Sequence, residues 1–136
     1  MTTLRQVLYF SRARAALTDN DVRQILWASQ RNNHQRDITG CLLYSGRHFA
    51  QALEGDPLVL DDLLARIRKD GRHTEVLVAI DHAVAIRKFP QWSMGVLYKL
   101  DLADLLEALL SGQEISEEQA LDLLAEMNPD SVMGAL

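Results

Sequence analysis

Two apolar runs of strand length, residues 38–44 and 48–53, are separated only by Ser45-Gly46-Arg47. Short runs rich in β-branched and aromatic residues, broken by a turn signal, fold back as a hairpin. The rest of the chain must be arranged around it. Upstream, residues 4–10 make another apolar run, read as a first buried strand. A helix should join that strand to the hairpin. It starts at Thr18, with Asp21 three residues on as an imperfect capping box. Val22, Ile25, Leu26 and Ser29 share one of its faces, and Asn32 and Asn33 continue it. Downstream, Asp56-Pro57 is an N-cap followed by proline at the first helical position. Leu60, Leu63, Leu64 and Ile67 form the buried stripe of this second helix. It should end near Lys69-Asp70, with Gly71 as a left-handed cap. A fourth strand is expected over 75–86, bulged near Asp81-His82. Pro90 ends it, and 91–100 reads as a fifth.

The order is strand, helix, strand, strand, helix, strand, strand. That is an α+β, ferredoxin-like βαββαββ layout: a five-stranded sheet with two helices on one face. In it the first and third strands are central neighbours, so Tyr9 and Gln51 should lie side by side beneath the helices. Alternation gives Gln51 the same face as Phe49 and Leu53, and gives Trp92 the same face as Met94. From Asp101 on, two more helices are expected. Leu102, Leu105, Leu106 and Leu109 stripe the first, which Gly112 stops. Ser116 and Gln119 make a capping box for the second, with Ile115 stapled onto Ala120 and a short stripe of Leu121, Leu124 and Ala125. These helices should form a C-terminal two-helix cap over the bare face of the sheet.

At 136 residues the chain is one domain, long enough for a core without disulfides or metals. The formal net charge of -5 and the lack of a basic stripe argue against direct contact with nucleic acid or an anionic membrane. Cys41 is alone and no zinc-ligand spacing occurs. No signal-peptide pattern opens the chain and no run could span a bilayer, so a cytoplasmic location is expected. A phenol and two carboxamides aimed at one cavity make a poor hydrolytic site, but a good redox and hydrogen-bond switch. Taken singly, each of these residues has a plain packing role. Tyr9 would be a core tyrosine, Asn32-Asn33 a helix end, and Arg66 and Asp70 a surface pair.

Six strings in order change that balance. They are Leu8-Tyr9-Phe10-Ser11, Ser29-Gln30-Arg31-Asn32-Asn33, Ile38-Thr39-Gly40-Cys41-Leu42-Leu43-Tyr44, Phe49-Ala50-Gln51-Ala52-Leu53-Glu54-Gly55, Asp70-Gly71-Arg72-His73 and Phe89-Pro90-Gln91-Trp92-Ser93-Met94. Together they resemble the BLUF family of flavin-holding blue-light receptors. The resemblance implies a photosensory domain over 1–98 and a helical cap or output segment over 99–136. It implies that Tyr9 donates an electron to the excited flavin and that Gln51, between Tyr9 and the ring, rearranges its carboxamide. Asn33 and Asn32 would meet the polar edge and the ribityl side, while Ile25 and Ile67 sandwich the ring. Arg66, Asp70 and His73 would lie near the other edge. Trp92 and Met94 would compete for space beside Gln51 and carry the signal outward. The implied cofactor is FAD, with FMN and riboflavin left open. No catalytic activity and no metal are expected. The signal would pass to a separate, unidentified protein partner or to a homo-oligomer. The competing class is a flavin-free, ferredoxin-like regulatory module that binds another small ligand.

Overall fold

The structure, a computed structural model, describes residues 3–15 and 17–128. Strand β1 (Leu4–Ala13) leads to helix α1 (Asp19–Gln35), and the hairpin follows as β2 (Thr39–Tyr44) and β3 (His48–Gly55). Helix α2 (Pro57–Lys69), β4 (His73–Val84) and β5 (Gly95–Tyr98) come next. A 3-10 turn at Leu100–Leu102 then leads to α3 (Ala103–Leu110) and α4 (Glu117–Glu126). The sheet order is β4-β1-β3-β2-β5. All neighbours are antiparallel except β2 and β5, which are parallel. This is the ferredoxin-like α+β layout, extended by one edge strand.

The helix starts follow from local chemistry. Thr18 Oγ1 accepts from the Asp21 amide at 3.1 Å, and Asp21 accepts from the Thr18 amide at 2.9 Å, so the capping box is complete. Asp56 accepts from the amides of Leu58 and Val59, ahead of Pro57. Ser116 and Gln119 repeat the box at α4. Each cap satisfies orphan amides that would otherwise cost roughly 1 kcal/mol.

Alternation then sorts the sheet into two cores. Val7, Tyr9, Leu42, Phe49, Leu53 and Val96 face α1 and α2, meeting Val22, Leu26, Leu60 and Leu64. Leu8, Phe10, Cys41, Leu43, Ala50, Ala52 and Leu97 face the other way. Leu106 and Leu109 of α3, with Ala120, Leu123 and Leu124 of α4, cover them. Full burial of each large aliphatic contributes about 1.5–3 kcal/mol. The C-terminal helices do cap the bare face; residues 129–136 of the expected cap segment lie outside the described residues.

Several boundaries differ from expectation. Gly71 is not left-handed; α2 ends at Lys69, and the Asp70 carboxylate accepts from the Arg72 amide at 3.0 Å, turning the chain without a positive φ. The register between β1 and β4 shifts opposite Ala79 and again near Glu75, whose φ is 59°, rather than at Asp81-His82. Residues 91–94 are irregular, and β5 keeps only four residues. Leu121 and Ala125 are exposed, while Ala120 and Leu123 take the buried positions of α4. Leu105 is also exposed. In these short helices a stripe read from leucines alone is one position off, because the neighbouring surface selects the buried face.

Gly40 shows how tightly the hairpin is built: a Cβ placed there would meet the Ala52 carbonyl oxygen at 2.0 Å. Gly40→Ala is therefore expected to cost about 1–3 kcal/mol or more, as overpacking against backbone does. Urea unfolding checks this, and an unchanged midpoint would show that the strands can part at no cost.

Candidate functional site

A cleft of about 520 Å³, counting its mouth, opens between the sheet, α1 and α2. The floor is sheet, with Tyr9 on β1, Leu42 on β2, and Phe49 and Gln51 on β3. The walls are helical: Ile25 and Ser29 on α1, Leu63 and Ile67 on α2. Asn33, Asp70, Arg72 and His73 complete the lining.

Cross-strand pairing places Tyr9 opposite Gln51. The Tyr9 hydroxyl donates to Gln51 Oε1 at 2.5 Å. Gln51 Nε2 points at the Met94 sulfur, 3.4 Å away, a weak acceptor. Both side chains are buried. Burial first, and Asp70 second, push the Tyr9 phenol well above its ordinary titration range, so it keeps its proton. Asn33, buried near the end of α1, donates through Nδ2 to the Ser93 carbonyl at 3.0 Å. His73 Nε2 lies 2.6 Å from the Ile67 carbonyl, which only accepts, so that nitrogen carries a proton. Its Nδ1 lies 2.7 Å from the Ser11 hydroxyl.

The expected site residues fall into three groups. Tyr9, Ile25, Asn33, Gln51, Ile67, Asp70 and His73 line the cleft itself. Asn32 and Arg66 stand at an adjoining outer opening, both exposed. Met94 reaches Gln51, but Trp92 does not share its face: it packs with the cap-side core. Alternation fails there because residues 91–94 are not a strand. The Arg66–Asp70 pair is also absent. Arg66 turns back to Asp62 at 3.2 Å, and Asp70, lying past the helix end, takes Arg72 as its partner. Arg72 is the residue that sequence reasoning passed over. It sits inside the Asp70-Gly71-Arg72-His73 string, and its guanidinium forks onto the Asp70 carboxylate at 2.6–3.1 Å.

These residues fit a flavin. Ile25 and Ile67 offer aliphatic walls to a flat ring, and Asn33 and Gln51 set two carboxamides beside it for a polar edge. Other chemistries lack support in the same place. Burial pushes the Cys41 thiol up to about 12, and it lies on the cap side of the sheet. Among the described residues no group of His, Cys, Asp and Glu could hold a metal, and no helix is long and apolar enough to cross a membrane.

Fold and cleft define an α+β domain with a slot between two helices and a sheet. Residues 4–95 match the BLUF family, sensors of blue-light using FAD, and the chain belongs to that family. It is 34% identical over 94 residues to the photoactivated adenylate cyclase subunit beta of Euglena longa, covering 68% of this chain. This chain spans only 11% of that subunit's length. Among solved structures it resembles BlrB, a BLUF protein in its dark state, with 34% identity and a TM-score of 0.79. That likeness covers 97% of this chain and 99% of BlrB. Klebsiella pneumoniae BlrP1 with FMN and cyclic diGMP is 29% identical with a TM-score of 0.70, over 90% of this chain and 33% of that one.

The Asp70–Arg72 fork carries a pH signature. Hydrogen bonding from Arg72 holds the Asp70 carboxyl below its usual range. The stability it supplies is present above the carboxyl's unfolded titration and is lost as pH falls through the lower native one. Arg72→Ala should lower the melting temperature above the acid range and flatten its fall as pH drops, because most of that difference between native and unfolded titration goes with the guanidinium. An acid limb that superimposes on the parent's would remove this fork as a source of stability.

Proposed function

We propose that this chain is a blue-light receptor whose switch is the Tyr9–Gln51 pair, reporting through Met94. The carrying observation is the Gln51 carboxamide. Its oxygen accepts from Tyr9, while its nitrogen meets only a soft sulfur. A carboxamide in that position can exchange its donor and acceptor ends with little change in volume. A carboxylate could not, since ionised it only accepts. In a buried setting such an exchange alters the neighbouring hydrogen bonds strongly.

A bound flavin supplies the chromophore and the electron acceptor. The residues do the rest. Tyr9, protonated and buried, would lend an electron and then a proton and take both back once Gln51 has reversed its amide, whose new end no longer matches Met94. Ile25 and Ile67 would flank the ring, Asn33 would meet its polar edge, and Asn32, Arg66, Asp70, Arg72 and His73 would lie toward the opposite edge and the chain that leaves the cleft. FAD is the cofactor favoured by the family's description, and the aliphatic slot suits the ring that FAD shares with FMN and riboflavin. Residues 1–98 would act as the sensory unit and 99–136 as the output cap, located in the cytoplasm. The cap or the edge of β5 would meet a separate partner or a second copy. Light can shift that encounter only by the free-energy difference it creates between the dark and lit forms. No residue is assigned a catalytic role.

The first test is the absorption spectrum of flavin-loaded protein before and after a blue flash. A small red-shift that reverses in the dark is expected. Failure to take up any flavin would favour a regulatory module with another ligand. Tyr9→Phe and Gln51→Leu should each retain flavin and lose the reversible shift; a full shift in either variant refutes the pair. Met94→Ala should keep the shift and lose most of the light-induced change in hydrogen exchange over 95–110. Undiminished exchange in that variant would exclude the Met94 route.

A further inference from the structure

Glu54 is a fully buried carboxylate that the cleft does not use. It lies on β3 three residues after Gln51, and alternation turns it to the opposite face of the sheet. No cation is paired with its carboxylate among the described residues. Four donors converge on it instead. Oε1 accepts from the Phe89 amide at 2.6 Å and from the Thr39 hydroxyl at 2.9 Å. Oε2 accepts from the Lys88 amide at 2.9 Å and, weakly, from Gln6 Nε2 at 3.5 Å. Arg87 donates to Thr39 Oγ1 at 2.8 Å, so the hydroxyl proton is directed at Glu54. His82 Nε2 lies 2.7 Å from Gln6 Oε1, which turns the Gln6 amide nitrogen the same way. All four contacts supply what an ionised carboxylate accepts.

A buried charge without an ion pair is costly unless its hydrogen bonds are complete. Hydrophobic packing could have closed this site. What Glu54 provides in addition is a hold on two successive backbone amides, those of Lys88 and Phe89. Within the irregular connection between β4 and β5, they open the stretch that ends at Met94. The far end of that segment is held from α1, where Gln30 Nε2 donates to the Met94 carbonyl at 3.1 Å and Asn33 to that of Ser93. Between the two ends, the Gly40 amide donates to the Trp92 carbonyl at 3.0 Å.

We propose that the Glu54 carboxylate is a positioning residue for the Tyr9–Gln51 switch, fixing the start of the segment that delivers Met94 to Gln51. The proposal rests on the switch described above and adds its fixed end. One strand, β3, carries both the amide that changes and the anchor against which its partner is measured. With residues 88–89 pinned, a push on Met94 runs forward into β5 and α3. Arg87, just before them, is held separately by Thr39, Asp37 and the Glu54 carbonyl, so without the carboxylate the push is taken up at Lys88 and Phe89.

The test uses full-length, FAD-loaded Glu54→Gln, which keeps side-chain shape but turns one acceptor into a donor facing amides. Flavin uptake and flash-induced shift should match the parent, since Tyr9 and Gln51 are untouched. Dark recovery should quicken about tenfold, the change expected when one hydrogen bond to a charged group is lost from the restraint on Met94. Light-induced hydrogen exchange should spread back to residues 85–90. Recovery and exchange that match the parent's, with or without a lowered melting temperature, would overturn the proposal and leave Glu54 a structural group. If Glu54→Gln does not fold, Thr39→Val removes a single donor from the same carboxylate. It should quicken recovery in the same direction by a smaller factor, and an unchanged rate again overturns the proposal. A parent that binds flavin without a reversible shift would refute the switch and this proposal together, and that result needs no variant.

Discussion

Antiparallel pairing of β1 with β3 at the centre of the sheet is the constraint on which the remaining structure depends. It sets Tyr9 opposite Gln51, and the two-residue period of the strands then decides what every neighbour can do. A slip of one residue in either strand would turn its polar group into the cap-side core and bring Phe10 or Ala50 into the cleft instead. Large apolar residues on both faces of β1 and the close approach of Gly40 to β3 make such a slip costly. The short phenol–carboxamide hydrogen bond is a consequence of that register.

The two faces of the sheet are put to different uses. On the α1 and α2 side the core is interrupted, and a few amides and one phenol line a slot between aliphatic walls. On the α3 and α4 side apolar side chains pack against one another, with Glu54 and its four donors at one border. The irregular stretch from Phe89 to Met94 joins the two, since Phe89 is buried on the cap side and Met94 on the cleft side. Under the proposed switch, a displacement at Gln51 would pass through its contact with Met94 and then along the chain through β5 toward the cap helices.

Much of this was legible along the chain. The hairpin, the capping boxes at Thr18 and Ser116, the proline after Asp56 and the apolar stripe of α2 each express a local rule. Their order was enough for a ferredoxin-like sheet with Tyr9 beside Gln51. Six of the eight residues expected to touch a cofactor line the cleft, as does Tyr9, and the two at the outer opening, Asn32 and Arg66, belong to the same helical walls. The misreadings cluster where local rules lapse. Trp92 was assigned by an alternation that residues 91–94 do not follow, because bonds from Gly40, Asn33 and Gln30 hold them in an irregular path. The buried face of α4 depended on which surface it docks against. The end of α2 was turned by an aspartate side chain where a left-handed glycine seemed the natural device.

By itself, then, the sequence determined the kind and order of the elements and the chemistry available to the cleft, since caps, turn residues and hydrophobic period act within a few residues. Tertiary structure alone decided which charges pair, which side of the sheet Trp92 occupies and what Glu54 holds. Most of those outcomes join residues distant along the chain, such as Glu54 with Phe89. Only when the sheet has closed do these groups lose water and need one another.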